Sequence, residues 1–135
     1  MHDLEELARD VIDAGFGIHR EIGPGLLESA YEALLLNALQ KRGRQVERQK
    51  TLPLAWGNVR LAEAYRVDLL VGGKLIIEIK SVERLLPLHS KQLLTYIRLF
   101  KQPLGILMNF GGDTFKEGVR RVVDGPSAFK PLEKR

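Results

Sequence analysis

Residues 65–80 have the sequence YRVDLLVGGKLIIEIK, in which a glycine pair joins two apolar runs. Apolar runs bounded by turn residues predict β-strands, and two acids and a lysine interrupt these runs: Asp68, Glu78 and Lys80. Burying a charged side chain in a strand is costly because the charge loses its hydration. A divalent metal ion held between the two carboxylates would compensate that loss.

The pairing of the two runs decides whether the carboxylates meet. If Val71 pairs with Leu75 across a three-residue loop, Asp68 lies directly opposite Glu78, with Cβ atoms about 4.5–5.5 Å apart. A two-residue Gly-Gly turn would instead place Ile77 opposite Asp68 and send Glu78 to the other face. The metal-site hypothesis therefore requires the three-residue loop.

Side-chain alternation assigns the second strand's residues to the two faces of the sheet. Val67, Leu69 and Val71 are expected on one face, and Asp68 and Leu70 on the other. On the following strand Leu75, Ile77 and Ile79 are expected on one face, and Ile76, Glu78 and Lys80 on the other.

The composition indicates one compact globular domain. The chain has 135 residues, 44% hydrophobic and 28% charged. It has no cysteine, which excludes disulfides and thiolate metal sites and agrees with a cytoplasmic location. No apolar run approaches the roughly 18 residues of a membrane span, and the acidic N-terminus lacks the basic start of a signal peptide, so no membrane partner is expected. The formal net charge of +4 mildly favours nucleic acid as a partner.

Hydrophobic periodicity and turn residues predict helices over 4–21, 26–42 and 89–100, and strands over 46–56, 59–71, 75–82 and 104–110. Pro53 favours an edge position for the first strand, and the fully apolar fourth strand is expected inside the sheet. Segment 115–123 is either a short helix or a strand. The predicted fold class is α/β, a small mixed sheet flanked by helices in the order ααβββαβ. It forms one domain over residues 1–124, followed by a tail over residues 125–135.

Several motifs in this order resemble the PD-(D/E)XK nuclease superfamily and, within it, the small bacterial family named for its GxxExxY motif. The motif of that name matches GLLESAY at 25–31, and further matches are YRVD at 65–68, EIK at 78–80, QLLTY at 92–96 and NFG at 109–111. Val67 stands where the superfamily's name has a proline. The resemblance covers roughly residues 11–123 and implies a restriction-endonuclease-like core with a metal-dependent site.

The resemblance implies a role for each residue of that site. Asp68 and Glu78 would hold Mg²⁺ or Mn²⁺, which prefer oxygen ligands, and the Ile79 carbonyl would add a third oxygen. Lys80 would orient the attacking water and stabilise negative charge in the transition state. Glu28 would be a further ligand, directly or through water.

Each of these residues also has a purely structural interpretation. Asp68 could be a solvated residue on an open face of the sheet, and Glu78 could pair across strands with Arg66 or Lys80. Glu28, in the first turn of a helix, would interact favourably with the helix dipole.

Four further residues are candidates for binding or support. Gln92 and Tyr96 share a helix face and resemble a Gln-x-x-x-Tyr motif that touches substrate phosphate, although an ordinary amphipathic helix would show the same spacing. His89 lies one turn earlier and either reaches the same pocket or simply begins the helix. Tyr31 shares a face with Glu28 and is expected to support it by packing and hydrogen bonding.

The stretch Arg42, Arg44, Arg48 and Lys50 either lines a nucleic-acid groove or forms a solvated face. Trp56, beside a predicted turn, is expected to cap the core rather than stack on a base.

Three functions remain open from the sequence. The leading hypothesis is a Mg²⁺- or Mn²⁺-dependent nuclease acting on DNA. The second is a non-catalytic module that binds nucleic acid or a partner on a nuclease-like core, and the third is a structural domain whose acids and lysines pair with each other. The small size limits the surface available for gripping a duplex, which favours a homodimer or a partner.

Overall fold

The computed structural model describes residues 2–125 and 129–131. In chain order its elements are α1 His2–Ile22, α2 Glu28–Lys41, β1 Val46–Trp56, β2 Val59–Val71, β3 Leu75–Lys80, α3 Pro87–Phe100, β4 Leu104–Asn109, a 3₁₀ helix Lys116–Gly118, β5 Val119–Val123 and β6 Phe129–Pro131. The undecided segment 115–123 thus contains both a helical turn and a strand. Of the predicted tail, residues 129–131 form β6, while residues 126–128 and 132–135 lie outside the described part of the chain.

The strands form one mixed sheet in the order β1-β2-β3-β4-β5-β6. Among the described strands only β3 and β4 pair in parallel, and α3 makes the connection between them, as parallel strands require a crossover. β1 lies at an edge, and β4 is buried along its whole length inside the sheet. The predicted α/β fold class, with helices flanking a small mixed sheet, is confirmed, and β5 and β6 extend the predicted sheet.

The turn between β2 and β3 has the three-residue form that the metal-site hypothesis requires. Val71 pairs with Leu75 and Leu69 with Ile77. Gly72 and Gly73 have φ values of 61° and 70°, a left-handed conformation that glycine adopts without steric cost. The glycine pair therefore sets the register that places Asp68 opposite Glu78.

Helices cover both faces of the sheet. α1 and α2 pack on one face, where Leu69 and Ile77 lie, and α3 packs on the other, where Leu70 and Ile76 lie. The prediction that Val67 shares the face of Leu69 is wrong, because Val67 belongs to the cluster under α3. The strict alternation of faces therefore fails between Val67 and Leu69. In the neighbouring strand β1, Gln49 lies between the residues that pair with Val67 and Leu69 and has a φ of 51° instead of an extended value. None of the described helices is long and apolar enough to cross a membrane.

The β1–β2 hairpin continues past the rest of the sheet as a two-stranded arm, residues 51–66, which pair only with each other. Its turn lies at Gly57-Asn58. Trp56 begins this turn and is 77% exposed. The prediction that Trp56 caps the core is therefore wrong, because the hairpin carries its tip into solvent.

Candidate active site

The candidate site lies where the backbone ladder between β2 and β3 stops. The last residue pair of this ladder is Leu69 with Ile77. Beyond that pair, the backbone N–H groups donate to side-chain carboxylates instead of backbone carbonyl groups. The Asp68 N–H donates to Glu78 Oε2 at 2.9 Å, and the Ile79 N–H donates to Asp68 Oδ2 at 2.7 Å. Each carboxylate is thus fixed against the opposite strand, which brings the two side chains together.

Both carboxyl groups lie in surroundings that disfavour negative charge. Burial, followed by repulsion from Asp68, raises the pKa of Glu78 to about 8, and Glu78 is only 8% exposed. Burial also raises the pKa of Asp68, and repulsion from Glu32 adds to the effect. Among the described residues, neither Asp68 nor Glu78 forms an ion pair. A cation between them would relieve their repulsion, so the pair fits a divalent metal ion.

Lys80 ends β3 opposite Asn109 of β4 and is half-buried. Its positive charge lowers the pKa of Asp68 and of Glu78, although less than burial raises them. The Lys80 ammonium group therefore lies close enough to both carboxylates to interact with them electrostatically. Ile79 itself is buried in the core under α1 and α2.

Glu28 is the first residue of α2 and reaches the end of β3. Its Oε2 accepts a hydrogen bond from the Ser81 N–H at 3.3 Å, and the Ser81 hydroxyl donates to the Leu26 carbonyl at 2.6 Å. These bonds join the loop before α2 to the residue that follows Lys80. Across the part of the chain that the structure describes, no group of three or more His, Cys, Asp or Glu side chains is arranged to hold a metal ion. The carboxylate pair is therefore the core of the site, with Glu28 beside it.

Tyr31 supports the loop that leads to Glu28. It is fully buried and stacks on Phe110, with ring centroids 4.5 Å apart. Its hydroxyl donates to the Gly23 carbonyl and accepts from the Leu26 N–H. Tyr31 thus acts on the site by holding backbone.

Gln92 and Tyr96 belong to α3, which packs on the face of the sheet that carries Leu70 and Ile76. The Gln92 amide donates to the Tyr96 hydroxyl at 2.9 Å, and the Tyr96 ring stacks on Tyr65 of the arm at 4.9 Å. Burial raises the pKa of Tyr96, and the charges of Glu78 and Asp68 raise it further. The Tyr96 hydroxyl therefore lies within electrostatic reach of the carboxylate pair.

His89 is both a helix-start residue and a neighbour of the site. Its Nδ1 accepts a hydrogen bond from the Leu86 N–H at 3.1 Å. Burial lowers the pKa of His89, Lys80 lowers it further, and Glu28 opposes the shift. The imidazole consequently lies near the groups that end β3 and begin α2.

The sequence analysis missed two residues that hold Asp68 in place. Glu32 is buried and accepts hydrogen bonds from Arg48 and from the Gln49 amide, the latter at 2.7 Å. The same Gln49 amide donates to Asp68 Oδ1 at 3.2 Å. Glu32 lies four residues after Glu28, so helical spacing alone could have placed it on the same face. The role of Gln49 depends on its positive φ, for which the sequence carries no signal.

The basic side chains that follow α2 form ion pairs with acidic side chains. Arg42 and Arg44 pair with Asp10 of α1, Arg48 pairs with Glu32, and Lys50 pairs with Glu47. Most of these ion pairs therefore join α1, α2 and the segment that leads into β1. This favours a structural role for the basic stretch over a nucleic-acid groove.

Asn109 fixes the segment that follows Lys80. Its Oδ1 accepts from the N–H groups of Val82 and Gly111, and its Nδ2 donates to the Val82 carbonyl, at 2.8–3.1 Å. These bonds satisfy the N–H and carbonyl groups of Val82, which therefore do not pair with a neighbouring strand. β3 accordingly ends at Lys80 rather than at the predicted Val82. A Cβ at Gly111 would collide with the Val82 backbone, so this close approach requires glycine.

Asn109→Ala is expected to lower the free energy of unfolding by about 2–4 kcal/mol, because it leaves three partly buried backbone groups without their side-chain partner. Urea denaturation measures the change. Asn109→Asp, which keeps the acceptor and loses the donor, should fall between alanine and wild type. An alanine variant as stable as wild type would contradict this account of the segment.

A model of the PD-(D/E)XK nuclease superfamily matches residues 5–122. Searches among curated proteins and among solved structures found no significant match. The matched range runs from α1 into β5 and includes both opposed carboxylates and Lys80. The chain therefore belongs to the PD-(D/E)XK nuclease superfamily.

Proposed function

We propose that this protein is a nuclease that hydrolyses phosphodiester bonds of DNA with the help of Mg²⁺ or Mn²⁺. One observation carries the proposal: half-buried Asp68 and buried Glu78 face each other, neither forms an ion pair with any described residue, and Lys80 lies beside them. A structural domain would gain stability by pairing or removing such charges. The presence of both carboxylates in this position therefore supports a cation that compensates them during function.

Asp68 and Glu78 would hold the metal ion, with the Ile79 carbonyl and Glu28 as further oxygen donors. When bound, the ion supplies positive charge that stabilises the negative charge developing on the scissile phosphate. Gln49 and the Ile79 N–H hold the Asp68 carboxylate in a fixed orientation, which limits the reorganisation needed on binding.

Lys80 would position the attacking water and stabilise the pentacoordinate transition state. The water oxygen bonds to phosphorus and loses a proton to solvent, while the bond from phosphorus to the leaving sugar oxygen breaks and that oxygen takes up a proton from solvent. Gln92 and Tyr96 would contact a phosphate beside the scissile one, because their hydrogen-bonded pair lies within reach of the carboxylates' charge. His89 would extend the same polar surface.

We also propose that the chain is a member of the GxxExxY family. The hydrogen bonds from Ser81 to Glu28 and to the Leu26 carbonyl join the Gly25–Tyr31 motif to the strand that carries Glu78 and Lys80. This connection gives the motif's Glu and Tyr a physical role beside the site, which supports the assignment.

Lys80→Met is expected to lower the cleavage rate by about 10²–10³-fold, because it removes one charged group that stabilises the transition state. Cleavage of single-stranded and duplex DNA and of RNA would be followed with Mg²⁺ and with Mn²⁺. Mn²⁺ affinity should be retained, since Lys80 is not a ligand.

Lys41→Met is the matched control, because Lys41 is exposed at the far end of α2, and it should cleave like wild type. A wild-type protein that binds nucleic acid in a salt-sensitive manner but cleaves none of these substrates would contradict the proposal. That outcome would indicate a non-catalytic binding module.

A further inference from the structure

The outer part of the arm exposes an unusual apolar surface. Trp56 at the tip is largely exposed, and Val59 and Leu61 on the following strand are also exposed. Isolated exposed apolar residues need no explanation, but a cluster with a protruding indole indicates contact with another molecule. The Trp56 ring belongs to neither core cluster among the described residues.

A groove of about 590 Å³ lies between this part of the arm and the end of α3. Its floor is apolar, and its charged lining residues in the described part of the chain are all basic: Arg60, Arg98 and Lys101. Arg98 pairs with Asp124, whereas Arg60 and Lys101 form no ion pair with any described residue. A positive groove with an apolar floor is complementary to a chain that carries both phosphates and aromatic bases.

α3 connects this groove to the candidate active site. Gln92 and Tyr96 lie at the site, and Lys101, which follows the helix, lies in the groove. The stacked Tyr65 and Tyr96 rings hold the arm against the helix. Nine residues of β2 separate Asp68 from the tip, about 30 Å at strand spacing. That distance corresponds to about nine nucleotides of a stacked strand.

We propose that the outer arm and the groove bind a single-stranded segment of the nucleic-acid substrate. Trp56 stacks on an unpaired base, and Arg60 and Lys101 contact phosphates. The inference rests on the proposed function, because it extends the path of the same substrate. A duplex is a poorer fit for this surface, since its bases already stack on each other and offer an exposed indole no free face.

The charges also disfavour a second copy of this chain as the occupant. In a two-fold symmetric contact the same patch meets itself, so the groove's cations would face like charges. A nucleic-acid strand meets the same cations with phosphates, which is attractive at low ionic strength and weakens as salt is added.

The test uses the fact that the chain has one tryptophan, so its emission reports on the arm tip alone. The full-length protein in EDTA, where cation-dependent cleavage cannot occur, is titrated with single-stranded oligodeoxythymidylate and, separately, with oligouridylate. Quenching of the emission, reversed by salt, is expected, and the stronger ligand of the two distinguishes DNA from RNA. Fluorescence anisotropy of labelled oligonucleotide gives the affinity.

Trp56→Ala is expected to weaken binding by about 5–100-fold, the range for loss of one base–aromatic stack, and Trp56→Phe should recover part of it. Lys101→Gln should weaken binding and reduce the salt dependence, whereas Lys41→Gln, at the far end of α2, should change neither. Trp56 and Lys101 are exposed, so these substitutions are compatible with folding.

Oligonucleotide binding without any change in tryptophan emission, and with equal affinity of Trp56→Ala, would overturn the inference and leave the proposed nuclease standing. Equal binding of a duplex of the same length would overturn the single-strand assignment. An emission shift that follows protein concentration without nucleic acid, together with a doubled mass in sedimentation, would assign the surface to a second copy instead. Quenching without cleavage in Mg²⁺ or Mn²⁺ would support the arm inference while contradicting the nuclease.

Discussion

Asp68→Asn is expected to reduce cleavage by more than about a thousandfold, because it removes a carboxylate charge from the predicted metal site while keeping the side chain's shape. Charge stabilisation by a bound metal ion contributes several kcal/mol to such a reaction, and about 4 kcal/mol corresponds to that factor. The amide oxygen can still accept the hydrogen bond from the Ile79 N–H, so the fold should be retained. Cleavage assays and Mn²⁺ titration of the purified variant measure the two effects.

Asp13→Asn is a suitable control for this variant. Asp13 is exposed on α1, and its substitution should leave cleavage and Mn²⁺ binding unchanged. If Asp68→Asn cleaves as fast as wild type, Asp68 does not hold a catalytic metal ion.

Glu78→Gln is expected to stabilise the metal-free protein at pH 8 by about 2–4 kcal/mol. Burial in the folded protein raises the pKa of Glu78 to about 8 from an ordinary value of 4.5. Between these two pH values Glu78 is therefore protonated in the folded state and ionised in the unfolded chain. Wild-type stability should therefore fall as pH rises from about 4.5 to 8, and below this window the carboxyl group causes no loss. Glutamine is neutral throughout and should remove this dependence.

Thermal or urea unfolding at pH 5 and at pH 8, in EDTA, measures the difference. The variant should exceed wild type at pH 8 and match it at pH 5, whereas Glu63→Gln, an exposed Glu on the arm, should follow wild type at both. Added Mn²⁺ should stabilise wild type and have little effect on Glu78→Gln, because binding to the folded state stabilises it. Equal stability of wild type and Glu78→Gln at pH 8 would show that the Glu78 charge does not destabilise the folded protein.

Local patterns predicted the parts of the site that depend on strand register. The spacing from Asp68 to Glu78 and the glycine pair determine which side chains face each other, because strand alternation and loop length leave few arrangements. The helix and strand order also followed from periodicity, since long periodic segments are the strongest sequence signal.

The sequence did not predict features that depend on tertiary contacts or on unusual backbone conformations. The alternation of faces fails between Val67 and Leu69, and the sequence carries no signal for the positive φ of Gln49, the residue that joins Glu32 to Asp68. Whether Trp56 caps the core depends on how far the hairpin projects. Apolar character alone does not decide this, because a tip residue and a core residue can have the same local sequence.

Calorimetric titration of the metal-free protein with Mn²⁺ tests the central claim most directly, with wild type and Asp68→Ala/Glu78→Ala measured side by side. At pH 7 a Glu78 with a pKa of about 8 carries a proton in most molecules, and a metal ion must displace it. We predict that wild type binds Mn²⁺ with release of about one proton, measured as buffer-dependent heat, and that the double variant does not bind. No binding by wild type, or equal binding by the double variant, would contradict the claim that this pair of carboxylates is a metal site.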